Sequence, residues 1–240
     1  MTDLTKIAPL NNVMLITEMV DKVVNRPAHL PGMAVLYGPS GFGKTFSAQF
    51  AANQYKAFYL EVGAFWTVKR FCDALLQETG PMIRGAIPDK IDAIVERLAM
   101  TNRPLIIDEF DHMDTDKKIE LVRYLHDQTG AAIILIGEEL LPNKLKRWER
   151  FHNRISQWVG AQPASINDTR LLAGKYCPEL SISEDVLKVL TEASGHRARR
   201  ICTNLEQVRE AAKRLGLTEF GMSDIDFSWF TGASPAGRRF

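Results

Sequence analysis

Residues 38–45 read GPSGFGKT, a lysine and a hydroxyl at the end of a glycine-rich turn. The segment fits G-x-x-x-x-G-K-[ST] at every position, the spacing of a loop that cradles phosphates. Gly38, Gly41 and Gly43 permit backbone angles closed to other residues. With Pro39, Ser40 and Phe42 between them, their amides can turn inward on phosphate oxygens. A helix opening at Lys44 adds the partial positive charge of its N-terminus. Lys44 is placed to reach the β- and γ-phosphates of a nucleoside triphosphate, and the Thr45 hydroxyl to ligate Mg²⁺. ATP with Mg²⁺ is the expected cofactor pair.

A second chemical segment, PLIIDEFDH at residues 104–112, ends an apolar run in two adjacent carboxylates. Successive strand side chains point to opposite faces, so Asp108 and Glu109 are expected to do different jobs. Asp108 is expected to hold Mg²⁺, through water, in the Walker-B role. Glu109 is expected to polarise the attacking water as a general base. His112 reads as a structural or local switch residue rather than a catalyst.

These residues need a scaffold that brings strand ends together. Short apolar runs at Ala34–Tyr37, Ala57–Val62, Pro104–Ile107 and Ala131–Ile136 read as buried parallel strands, with Ile155–Gly160 a fifth candidate. Helix-period segments alternate with them at residues 44–55, 68–79, 90–100 and 117–128, after a first amphipathic helix at 11–24. After Pro163 the strands are expected to stop. Helix spacing covers 166–176, 183–194 and 198–215, and residues 223–230 suggest one more short helix. The expected fold is therefore α/β, a parallel central sheet flanked by helices and followed by a small all-helical lid. The expected boundaries are 1–163 for the nucleotide-binding core, 164–230 for the lid and 231–240 for a frayed tail.

Composition agrees with a folded protein: 45% hydrophobic and 25% charged over 240 residues. No apolar run approaches a membrane span, and the N-terminus lacks a basic-then-apolar leader. Three separated cysteines give neither a disulfide framework nor a zinc site. A cytoplasmic location is expected. The formal net charge is +1, so attraction to nucleic acid would have to be local.

The order of phosphate loop, acid-ended strand, further buried strand and helical lid resembles an AAA+ P-loop NTPase. LIIDEFDHM at 105–113, AAIILIGE at 131–138, FHNRI at 151–155 and SGHRARRI at 194–201 resemble the branch of the phage Mu B transposition protein and the Tn7-type transposition regulators. That branch's phage member carries a helix-turn-helix region ahead of its ATPase, for which this sequence leaves no room before the strand at Ala34. The resemblance implies a γ-phosphate sensor at Glu138, where Asn is usual; a capping or surface acid is the other reading. It implies an arginine finger at Arg154, acting on a neighbouring subunit's nucleotide, with Arg150 competing. It implies a sensor-2 arginine at Arg200, with Arg199 and Arg197 open.

Loops in this group line a helical filament and touch DNA. Lys69, Arg70, Arg84 and Lys90 are the candidate phosphate contacts, with Phe65 and Trp66 interleaved; the other reading makes the aromatics core and the cations solvated. The tail pair Arg238–Arg239 is a weaker candidate. No recognition helix is evident, so base-specific reading is not expected. The implied function is an ATP-dependent, oligomeric or filamentous DNA-binding ATPase that directs a transposase on double-stranded DNA. The alternatives are an initiator or helicase-loader ATPase, and a nucleotide-gated signalling or scaffold module without DNA.

Overall fold

A computed structural model of the chain describes residues 10–226, 230 and 231. Arg238 and Arg239, and residues 227–229 of the expected last helix, lie outside the described residues. Helix α1 (Asn11–Val24) is followed by β1 (Met33–Tyr37), α2 (Lys44–Gln54), β2 (Phe58–Glu61), α3 (Val68–Thr79) and α4 (Ile87–Thr101). Then come β3 (Leu105–Asp108), α5 (Asp116–Thr129), β4 (Ile133–Gly137), α6 (Leu141–Leu145), α7 (Glu149–His152) and β5 (Ile155–Gly160). The five strands form one parallel sheet in the order β2-β3-β4-β1-β5.

The run LIID of β3 and the run IILIG of β4 are buried at every position. Helices cover both faces of a parallel sheet, and a strand buried on both faces reads as a continuous apolar run. The glycine ending α5, Gly130, adopts φ 66° and closes the helix by donating to His126 O. Ile106, Ile107, Ile133, Ile134, Leu135 and Ile136 are fully buried.

The remainder is α8 (Ile166–Tyr176), β6 (Ser181–Ile182), α9 (Glu184–Ala193), α10 (Ala198–Leu215) and β7 (Glu219–Phe220). Strands do not stop after Pro163: β6 and β7 pair in parallel. The pairing is two residues long, too short to leave a period-2 signature. Residues 222–224 form a 3-10 turn where a short helix was expected to begin. Ser165 caps α8 by accepting from Asp168 N, and Asp168 Oδ2 accepts from Ser165 N in return. A separate apolar core around Leu187, Leu190, Ile201, Leu205 and Val208 holds these helices together.

The chain divides into two compact units. One contains residues 13–39 and 44–161. The other gathers residues up to Asn12, the segment Ser40–Gly43 and the chain from Gln162 onward. Among the described residues no helix is long and apolar enough to cross a membrane. Truncating Ile134, fully buried in the central strand β4, to Ala should cost about 2–5 kcal/mol, read as a lower urea midpoint at unchanged m-value.

Candidate nucleotide site

Gly41 and Gly43 hold φ 86° and 84°, values an L side chain rarely adopts, so the turn between β1 and α2 needs glycine there. Lys44 opens α2 and donates to Gly38 O at 2.7 Å and Pro39 O at 3.1 Å. Burial pushes its ammonium down, opposed by the carboxylates of Glu109, Asp108, Glu138 and Asp111. Both expected acids of the β3 end therefore stand in the field of the loop lysine, together with two more.

Asp108 is 2% exposed. Its Oδ1 accepts from Glu109 N at 2.8 Å and its Oδ2 from the Tyr59 hydroxyl at 2.9 Å. Burial pushes the Tyr59 phenol up, and the Asp108 charge adds to that. The expectation that strand alternation separates Asp108 from Glu109 is corrected here. The strand ends at Asp108, and Glu109 turns into the left-handed region at φ 53°. A non-glycine residue there stores strain, a feature that clusters at functional sites. The chain thus kinks between the two acids. Burial raises the Glu109 carboxyl, and neighbouring Asp108 raises it further.

Thr45 and Asp108 offer only oxygen donors, which fit Mg²⁺. Among the described residues no group of three or more His, Cys, Asp or Glu would hold a metal by itself. That also fits Mg²⁺, which is usually held by one or two protein groups together with substrate phosphates.

Asp111, whose side chain is 7% exposed, accepts from Glu138 N at 2.5 Å and from Lys144 Nζ at 2.8 Å. Gly137 leaves room for it: a Cβ there would lie 2.3 Å from Asp111 Oδ2. Glu138 itself is exposed, held at its backbone by Asp111. Sequence reasoning assigned no role to Asp111 or Tyr59. Asp111 stood in the DEFDH run, but nothing in its spacing pointed to the end of β4.

In the other unit, Ser40–Gly43 meets the start of α10. Arg197 Nη1 donates to Ser40 O at 2.6 Å and Arg199 N to Gly41 O at 3.1 Å. Asn12 Nδ2 donates to Phe42 O at 2.8 Å. A guanidinium nitrogen of Arg200 lies 3.8 Å from where a Gly195 Cβ would stand, and a Gly41 Cβ would meet Arg197 at 3.6 Å. Helix α10 begins at Ala198, with Arg197 non-helical before it.

Arg154 donates to Asp127 through Nε at 2.7 Å and Nη2 at 3.2 Å. Asp127 also takes Arg123 Nη1 at 2.6 Å. Arg150, on α7, is exposed. Lys69 pairs with Asp73 and remains 65% exposed. Arg70 stacks over Trp66, 5.1 Å to the ring centroid, and Arg84 is exposed. Lys90 is corrected as a phosphate contact. It is 6% exposed and its ammonium is paired with Asp73, so its charge is already neutralised inside the fold. Phe65 is not core either: it is 99% exposed, while Trp66 packs partly against the main core.

Residues 28–145 match the family model of the AAA domain. The chain has the AAA+ fold. The matched stretch contains the phosphate loop and the acid-ended strand β3. It is similar to an Aeropyrum pernix ORC2 protein described in ADPNP-ADP complexes: 16% identity, TM-score 0.69, covering 93% of this chain and 68% of that one. A CDC6p from Pyrobaculum aerophilum matches at 18% identity and TM-score 0.70, over 97% and 70% of the two chains. An Aeropyrum pernix ORC1 protein in complex with DNA matches at 16% identity and TM-score 0.62, over 93% and 66%. No curated protein matches the chain in sequence.

Glu109→Gln keeps the shape of the side chain and removes its basicity. Steady-state ATP turnover should fall by roughly 10²–10⁴-fold, with the affinity for a fluorescent ATP analogue kept within a few-fold. Lys44→Ala should instead weaken that affinity.

Proposed function

We propose that the protein is a Mg²⁺-dependent ATPase that assembles on double-stranded DNA in its ATP form, of the initiator or loader kind. The observation that carries the reading is the gathering of Asp108, Glu109, Asp111 and Glu138 around Lys44. Lys144 pairs with Asp111, but Lys44 alone does not neutralise the other three acids and the phosphates of ATP as well, so the site calls for Mg²⁺ and for guanidinium groups supplied from outside it. Lys44 and the backbone of residues 38–45 bind the phosphates, Thr45 and Asp108 hold the cation, and Glu109 takes the proton of the attacking water. When bound, Mg²⁺ supplies charge neutralisation at the phosphates. Arg200 is the proposed sensor-2 arginine, with Arg199 and Arg197 as the alternatives.

The solved structures similar in fold are described as ORC and CDC6 proteins, one of them in complex with DNA, which supports initiator or loader work. The residue matches at 105–113, 131–138, 151–155 and 194–201 support a second reading, a transposition helper that acts on a transposase. A transposase gene beside this one would favour the second reading. In both, residues 1–163 form the nucleotide-binding core and residues 164–230 the lid.

The finger is the external guanidinium. Arg154 is engaged by Asp127 in its own subunit, whereas Arg150 is exposed on the next turn, so each competes for the role. Neither Glu109→Gln nor the finger variant, Arg150→Ala or Arg154→Ala, should be active alone. Mixing the two should restore part of the ATPase rate, because some interfaces then pair intact Glu109 with an intact arginine. No recovery despite verified co-assembly would refute a shared site.

DNA contact is assigned to Lys69, Arg70 and Arg84, with the exposed ring of Phe65 beside them. A subunit with so few phosphate contacts binds weakly, and assembly along one duplex multiplies them. Binding should require ATP, vary little with sequence and weaken with salt. Replacing Lys69, Arg70 and Arg84 by Ala should flatten the log–log salt slope by about 0.9 per lost contact, leaving ATP affinity unchanged. Tight binding without nucleotide would contradict the proposal.

A further inference from the structure

The carboxylate of Asp108 is gripped at both oxygens, and one of the two donors comes from another strand. In parallel register Tyr59 of β2 lies beside Ile106 of β3. Ile106 and Asp108 share a face, because strand side chains alternate. Two residues of strand advance about 6.6 Å, a span that a tyrosine ring covers. The phenol therefore runs along β3 to its end and donates to Asp108 Oδ2 at 2.9 Å. Phe58 and Leu60 are buried on the opposite face of β2, so Tyr59 is free to serve the acid.

A phenylalanine at this position would meet the same packing and the same strand preference. What the hydroxyl adds is the bond to Asp108. The other carboxylate oxygen, Asp108 Oδ1, accepts from the backbone N–H of Glu109 at 2.8 Å. A carboxylate that approaches Mg²⁺ through water works by orientation, and groups behind such a ligand commonly set metal affinity by 10–100-fold.

We propose that Tyr59 is a positioning residue for Mg²⁺: its hydroxyl, with the Glu109 amide on the other oxygen, fixes the plane of the Asp108 carboxylate. The inference rests on the reading of Asp108 as the residue that faces the cation. Removing the hydroxyl leaves ring, fold and phosphate loop in place but lets the carboxylate turn. The metal dependence of nucleotide binding then changes, while metal-free binding does not.

The test is equilibrium binding of a fluorescent ADP analogue to wild type, Tyr59→Phe and Asp108→Asn, in EDTA and across a Mg²⁺ titration. Asp108→Asn should abolish or sharply weaken the Mg²⁺ response. Tyr59→Phe should raise the Mg²⁺ concentration at half effect by about 10-fold or more, with affinity in EDTA and melting temperature as in wild type. A wild-type Mg²⁺ midpoint in Tyr59→Phe, with Asp108→Asn impaired, overturns the role of Tyr59 alone. Equal weakening of Tyr59→Phe in EDTA and in Mg²⁺ also overturns it, since that is loss of structure. An unchanged Mg²⁺ response in Asp108→Asn overturns the underlying assignment of Asp108, and the inference with it.

Discussion

Four carboxylates act on one ammonium at the end of β3 and β4, and much of the site follows from that imbalance. Lys44 is partly desolvated, yet it stands among Asp108, Glu109, Asp111 and Glu138. Burial raises the Glu109 carboxyl, and the neighbouring Asp108 charge adds to that. The fold answers with donors. Asp111 is held by Lys144 and by the Glu138 amide, and Asp108 by Tyr59 and the Glu109 amide. What remains unneutralised sits where a nucleotide's phosphates would add further negative charge. Mg²⁺ and arginines from beyond the site are the groups that fit the deficit.

The sheet supplies rigidity for this arrangement. Strands β3 and β4 are buried throughout, so the acids at their ends inherit fixed positions. At the end of β3 the backbone leaves regular geometry at Glu109, which lies in the left-handed region. Local strain of this kind persists only where surrounding packing over-determines it. Phe110, stacked on Phe151 with centroids 5.8 Å apart, pins the chain immediately after the kink.

The elements of the core were legible because burial on both faces writes long apolar runs and because GPSGFGKT has little freedom to be anything else. β6 and β7 were not legible, since a two-residue pairing leaves no periodicity. Lys90 misled because a helix-start lysine reads as solvated, and nothing local announces Asp73 seventeen positions earlier in the chain. The two readings of Phe65 and Trp66 could not be separated locally: Phe65 is exposed and Trp66 packs partly against the core. The arginine run at 197–200 could not be ordered without the exact start of α10. Tyr59 and Asp111 act across strands and loops, and long-range hydrogen bonds of that sort have no sequence spacing to betray them.

The account makes the nucleotide site incomplete in a lone subunit, because the missing positive charge comes from Mg²⁺ and from a neighbour. Specific ATPase activity measured against protein concentration in saturating Mg²⁺-ATP tests this most directly. Activity per subunit should rise steeply with concentration and level off as assembly, followed in parallel by light scattering, becomes complete. A full rate per subunit that stays constant down to concentrations where only monomer exists would contradict the account.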